Sequence, residues 1–182
     1  FETSSMNFRE AYEKNVVPQM MKTHGFSSPL AVPRIVKIVV HTGVGRIRDD
    51  KEIETISRQL SLIAGQKPSP RKAKKSIASF KSREGMVIGL AATLRRKRMY
   101  DFLTRLISVA LPRARDFWGI SEKSVDEGGN LTIGIKEHII FPEAAGEDVR
   151  TIIGLEVTVV PQAASRELAL EMYRLLGIPF KK

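Results

Sequence analysis

Three histidines, a pair of carboxylates and one glycine turn are the residues of this chain whose types could support catalysis. The turn is Thr-Gly-Val-Gly-Arg-Ile at residues 42–47. It follows a β-branched run and precedes a helical one, as a dinucleotide loop would. Arg48 stands where the third glycine is needed, and no strand with a terminal acid follows at the required distance. A glycine turn that hands a strand to a helix accounts for it more simply. No G-x-x-x-x-G-K-[ST] segment occurs. His24, His41 and His138 are scattered without metal-ligand spacing. His24, beside Gly25, reads as a helix-end residue, and His138 as a strand residue, packed or exposed, without chemistry. Glu137 and Glu143 flank His-Ile-Ile-Phe-Pro, but two carboxylates make no acid/base pair without a pocket. Trp118 reads as a core or hinge aromatic. The expectation is therefore no catalytic residue, no metal and no cofactor.

The other chemistry is electrostatic. Residues 66–85, QKPSPRKAKKSIASFKSREG, carry Lys67, Arg71, Lys72, Lys74, Lys75, Lys81 and Arg83, with no acid before Glu84. The whole chain has net charge +10, and residues 66–115 hold fourteen Lys and Arg against Glu84 and Asp101. The remainder holds sixteen basic and eighteen acidic residues. One contiguous stretch supplies the excess, which points to a polyanion-binding surface rather than a solvated coat. Pro68 and Pro70 favour extended backbone and limit the entropy lost on docking. Ile77 and Phe80, inside the run, can stack on a base or pin the loop to its own domain. Seven like charges repel, so the loop is expected to be mobile when free and to order against its partner. A second basic corner, Arg95, Arg96, Lys97 and Arg98, sits at a helix N-terminus, where the dipole disfavours positive charge. The bland alternative for both runs is solvated surface charge. No zinc-finger spacing, basic zipper or clear helix-turn-helix appears, and charge on a loop and a corner suits a shaped RNA better than duplex DNA.

The elements that position these residues follow from periodicity. Residues 7–26 read as a helix with Asn7 and Glu10 as a capping box, Pro18 kinking it and Gly25 ending it. Residues 33–45 read as a strand. Residues 49–66 form a second helix capped by Asp49 or Asp50, with Ile53, Ile56, Leu60 and Ile63 on one face. A strand at 85–94 leads into a helix over 95–112, striped by Met99, Phe102, Leu103, Leu106, Ile107 and Ala110 and ended by Pro112. Residues 113–130 read mostly as loop. Residues 130–141 read as a strand ended by Pro142, residues 144–149 as connector, and 154–161 as a strand with Leu155, Val157 and Val159 inward. Ser165 caps a last helix with Leu168, Met172, Leu175 and Leu176 toward the core, stopped by Gly177 and Pro179. The mixture lacks strict alternation, which favours α+β. There is no cysteine, so disulfides and thiolate sites are excluded. No apolar run approaches the roughly 20 residues of a membrane span. Residues 1–5 read as a leader or tag remnant, followed by a single domain over 6–182.

The segments GQKPSPRKAKKSIASFKSREGM, LRRKRMYDFLTRLISVALPRARDFWGI, GNLTIGIKEHIIFPE and LGIPF closely resemble the bacterial-type large-subunit ribosomal protein five family, the 5S rRNA binders. The resemblance is collinear from about Met6 to the C-terminus. It implies a single α+β domain, an antiparallel sheet with helices packed on one side and a long basic loop at 67–85. It implies a structural, non-enzymatic role in translation on a bacterial-type ribosome, in a bacterial cytoplasm or an organelle that kept one. The implied partners are 5S rRNA, 23S rRNA in the central protuberance, P-site tRNA, a small-subunit head protein and neighbouring large-subunit proteins, with no membrane.

The resemblance places the 5S rRNA contacts at His41, Gln66, Thr93 and Arg95. It also assigns the basic loop to tRNA and 23S rRNA. Two departures stand out. His41 replaces the usual Asn, keeping a donor and an acceptor when neutral but changing reach. Arg-Arg-Lys-Arg replaces RG-[ED]-R, so Arg96 removes a glycine and Lys97 reverses a charge. A stronger, more salt-dependent RNA contact is expected at this corner. The alternative from another class is a peripheral membrane or acidic-protein binder, against which stands the lack of a basic amphipathic helix with bulky apolar residues opposite.

Overall fold

A computed structural model of the chain describes residues 8–115, 117–144, 152–163 and 165–181. The leader, Asn7 as a cap and all but Ala144 of the 144–149 connector lie outside these residues. The five strands are β1 Arg34–Gly43, β2 Ser69–Lys72, β3 Val87–Leu94, β4 Leu131–Ile135 and β5 Leu155–Gln162. They form one antiparallel sheet in the order β2-β3-β1-β5-β4. The four helices are α1 (8–24), α2 Asp50–Ala64, α3 (96–113) and α4 Arg166–Leu175. The α+β class expected from the sequence is the class observed. By its contacts the chain divides into two compact units, Phe1–Ile38 with Arg95–Ile133 and Thr158–Lys182, and Val39–Leu94 with Gly134–Val157.

In the first unit, α1 packs on α3 and on α4. Neither Pro18 nor Pro112 ends its helix. Each follows a wide π-turn, Tyr12–Val16 in α1 and Leu106–Ala110 in α3. There Val17 N–H reaches Tyr12 O and Leu111 N–H reaches Leu106 O, five residues back. A regular helix would press a carbonyl against the proline ring, and the wider turn relieves that clash. Thus α1 runs on to His24, where Gly25 at φ +67° closes it, and α3 runs on to Arg113. The expected stripe of α3 holds, with Ile107 only half-buried. In α4, Ser165 Oγ accepts the Leu168 N–H at 3.3 Å as expected. The core face is Ala169, Leu170, Met172 and Tyr173, joined by Leu176, while Leu168 and Leu175 stay half-buried. Tyr173, fully buried, donates its hydroxyl to Gly129 O at 2.9 Å. Burial pushes its pKa well above the ordinary tyrosine value. His24 does end α1, and its Nε2 lies 2.7 Å from Glu171 Oε2 in α4.

Trp118 is 83% exposed rather than a core residue. Ile120 takes the inward position there, held by Ile120 N–H to Pro179 O at 2.7 Å and Lys181 N–H to Ile120 O at 2.9 Å. Gly119, at φ +103°, lies so close to the Lys181 backbone that a Cβ would come within 2.9 Å.

In the second unit, α2 packs on β3 and on the turn at Pro142–Ala144. Asp49 is the cap, its carboxylate accepting the Lys51 N–H at 3.0 Å. Ile56, Leu60 and Ile63 are buried with Gln59 and Ala64, while Ile53 is half-buried. The alternation of β5 is as expected. The strand expected over 130–141 is shorter: β4 stops at Ile135, and His138–Ile140 form a 3-10 turn. His138 is therefore not a strand residue. It is fully buried, and its Nδ1 accepts the Ile153 N–H at 3.3 Å. The ring is neutral with its proton on Nε2, which has no hydrogen-bond partner among the described residues.

Burial holds the His138 pKa below its ordinary 6.5. Above that value both folded and unfolded chains carry a neutral ring. Below it the unfolded chain binds the proton more readily, so stability falls as pH drops from about 6.5 toward the folded value. Urea unfolding between neutral and mildly acid pH is expected to show this loss. In His138→Gln, which keeps an acceptor but does not titrate, the slope should flatten. An unchanged slope would remove His138 as its origin.

Candidate nucleic-acid interface

The basic run is a hairpin, not a loop without structure. Ser69–Lys72 pair antiparallel with β3, in the register Ser69 to Ala91, Pro70 to Leu90, Arg71 to Gly89 and Lys72 to Val87. Pro70 is tolerated because β2 is an edge strand, and a bulge falls between Arg71 and Lys72. Beyond it, Ala73 N–H reaches Met86 O at 2.8 Å and Gly85 N–H reaches Ala73 O at 3.0 Å. Ile77 and Ser82 bridge through both backbone pairs, 3.1 and 3.2 Å, around a 3-10 turn at Ala78–Phe80. Arg48 ties this arm to the β1–α2 connection, donating to Lys81 O at 3.1 Å and to Met86 Sδ at 3.2 Å. Lys67, Arg71, Lys72, Lys74, Lys75, Lys81 and Arg83 are all exposed. Ala73 is buried, as is Pro68, which anchors the start of the arm.

Next to the arm, strand alternation collects the candidate side chains. Leu90, Ala92 and Leu94 of β3 are buried on one face. Gly89, Ala91 and Thr93 therefore share the other. Directly opposite residues on paired strands share a face, so Ser69 and Arg71 of β2 lie there too. His41 of β1 completes the row: a Cβ added to Gly89 would sit 2.6 Å from His41 Nε2. The imidazole lies over Gly89 because that residue has no side chain. At the far end Gln66 donates from Nε2 to Thr93 O at 3.2 Å. The geometry thus brings His41, Gln66 and Thr93 to one strip floored by Gly89 and Ala91, with imidazole, amide, hydroxyl and guanidinium along it. Gly89 was readable as an isolated glycine in a strand pattern, a mark of close approach by another group.

Arg95, Arg96, Lys97 and Arg98 lie in the first unit, all exposed, where α3 begins. Arg95 is the N-cap in extended conformation, without a side-chain cap bond, and the first turn contains no acid. Arg96 holds φ at +53°. The resembled pattern carries glycine at this position, the residue that adopts this region without penalty.

The other candidates separate. Gly43 ends β1 and Gly45 lies in the turn that follows, with Val44 N–H bonded to Ile88 O at 3.0 Å. The helix that follows opens with Asp49, Asp50 and Glu52, and these carboxylates would repel a pyrophosphate. Glu137 and Glu143 stand in different turns. Among the described residues no three His, Cys, Asp or Glu cluster as a metal site, and no helix is long and apolar enough to cross a membrane.

These features define an α+β binding protein whose chemistry is cationic and hydrogen-bonding. Residues 28–83 match the family described as Ribosomal protein L5, and residues 87–180 match the family model for the C-terminal part of the same ribosomal protein. The chain is 50% identical over 175 residues to the large ribosomal subunit protein uL5 of Dictyoglomus turgidum, covering 96% of this chain and 98% of that protein. It is 49% identical over 175 residues to uL5 of Desulfatibacillum aliphaticivorans, with shares of 96% and 98%. It is 46% identical over 174 residues to uL5 of Halothermothrix orenii, with shares of 95% and 97%. The chain belongs to the bacterial-type ribosomal protein L5 family. It is a structural, non-enzymatic constituent of the large ribosomal subunit.

Arg96→Gly should raise stability. Leaving the left-handed region to a glycine removes about 1–2 kcal/mol of strain against about 0.5–1 kcal/mol of added chain entropy. A higher urea midpoint, with a net gain of about 0.5–1 kcal/mol, is the expected result. A lower midpoint would mean that the Arg96 side chain has contacts outweighing its backbone strain.

Proposed function

We propose that this ribosomal protein binds 5S rRNA through the strip of His41, Gln66 and Thr93, flanked by Arg71, and that Arg95 extends the contact. The observation that carries this reading is the convergence of the three resemblance-derived residues, each half-buried, on one strip beside Gly89, with Gln66 bonded to the Thr93 carbonyl. The side chains there offer donors and acceptors over a floor of glycine and alanine. A ribose or base edge can meet these half-buried side chains, and the 2′-hydroxyl is the group that marks RNA. The arm, with Lys67, Arg71, Lys72, Lys74, Lys75, Lys81 and Arg83, neutralises phosphates of 23S rRNA and P-site tRNA. Arg96, Lys97 and Arg98 add a second phosphate contact. In this reading residues 6–182 act as one RNA-binding domain in the central protuberance. It holds 5S rRNA onto 23S rRNA beside neighbouring large-subunit proteins and touches a protein of the small-subunit head.

The test is a salt-titrated binding curve against 5S rRNA, with an unrelated structured RNA of equal length as control. A preference for 5S rRNA that persists at high salt is expected. If about six phosphates are contacted, log K should fall with log salt at a slope of roughly −4 to −5. Lys74→Gln and Lys75→Gln should each reduce that slope by about one. Gly89→Ala, which displaces His41, should erode the preference and leave the slope intact. Equal affinity for both RNAs would refute the proposed recognition.

A further inference from the structure

Between the turn at 43–48 and the arm at 73–82 lies an open cleft of about 1140 Å³. It exceeds the roughly 300–1,000 Å³ of small-molecule sites, which suits a segment of polymer. Arg46, Lys74 and Lys75 line it, and no carboxylate does so among the described residues. Its other surface is apolar: Phe80 is 75% exposed, Ile77 46% and Ile88 39%. Phe80 is held outward by the arm itself. Lys81 closes the 3-10 turn at φ +50°, and its carbonyl is fixed by Arg48. An exposed ring on a braced turn, among exposed cations, offers a flat apolar face and phosphate ligands within one concavity.

We propose that this cleft receives an unstacked nucleotide of a single-stranded RNA segment. The base packs on Phe80 and Ile77, and the flanking phosphates meet Arg46, Lys74 and Lys75. Stacking on an aromatic ring needs the face of a base, which a duplex conceals and an unpaired nucleotide presents. A duplex would set its charged backbone against the exposed ring. The inference rests on reading the chain as an RNA binder and adds the class of RNA that this part of it accepts, separate from the His41–Thr93 strip.

The test uses the full chain and fluorescence anisotropy of a labelled short oligouridine, with an RNA duplex of equal phosphate count and anionic phospholipid vesicles as competitors. Single-strand binding should be about tenfold tighter than duplex binding, and Phe80→Ala should cost about tenfold with no change in salt slope. Phe80→Trp should restore binding, and its fluorescence should be quenched by the oligonucleotide. Equal affinity for the duplex, no loss in Phe80→Ala, or stronger binding to vesicles would overturn the proposal. Parallel titration with 5S rRNA separates the two readings. If 5S rRNA binds selectively and oligouridine does not bind, the cleft proposal falls alone. If oligouridine binds in a Phe80-dependent way and 5S rRNA shows no selectivity, the 5S reading falls and the cleft stands.

Discussion

Seven cations on one short segment repel one another, and backbone pairing must hold them. Ser69–Lys72 are fixed by the ladder to β3, and the arm beyond them is closed by the Ala73, Met86 and Gly85 bonds and the Ile77–Ser82 bridge. The same ladder places Arg71 opposite Gly89, so it also sets the row to which His41 and Thr93 belong. The row of candidate side chains and the charged arm are two consequences of one strand pairing. Because β2 is an edge strand, its charges face solvent at low electrostatic cost, and they also discourage pairing with a second sheet.

Gly89 is the complementary requirement. Its missing side chain makes room for a ring from the neighbouring strand. An asparagine at position 41 would need less of that room. The larger imidazole therefore depends on the glycine more strongly, and its reach across β3 is the structural meaning of the departure at this position. Thr42, next along β1, points to the buried side and donates its hydroxyl to Gly154 O at 2.9 Å. Alternation thus divides the strand between buried positions and half-exposed ones, residue by residue.

The helices and most strands were legible because their apolar spacing is strong. The edge strand β2 was not: Ser-Pro-Arg-Lys has no β-branched or aromatic residue, and its proline argues against a strand until its edge position is known. Pro112 does not end α3, nor does Pro18 interrupt α1, because a π-turn, which has no sequence signature in these segments, precedes each ring. The end of β4 before His138 and the outward turn of Trp118 depend on distant backbone partners, Ile153 in one case and the C-terminal segment in the other. Of the interface, the charge was legible from composition, and His41, Gln66 and Thr93 came from resemblance. Their shared face required the register between strands, which no single segment encodes.

The corner at Arg95–Arg98 departs from local rules twice. A left-handed arginine begins a helix whose first turn lacks the usual acids, and the cap residue offers no side-chain bond to the free N–H groups. Arg95, Arg96 and Lys97 beside them are exposed. Local stability would favour glycine and an acid here, as in the resembled pattern, so the present residues carry a conformational and electrostatic cost within the isolated chain. Under the proposed rRNA contact, a phosphate here would accept from the N–H groups and lie beside Arg95, Arg96 and Lys97. The corner thus departs from what local stability alone favours. The same corner adds to the uneven charge of the chain, whose basic excess lies within residues 66–115.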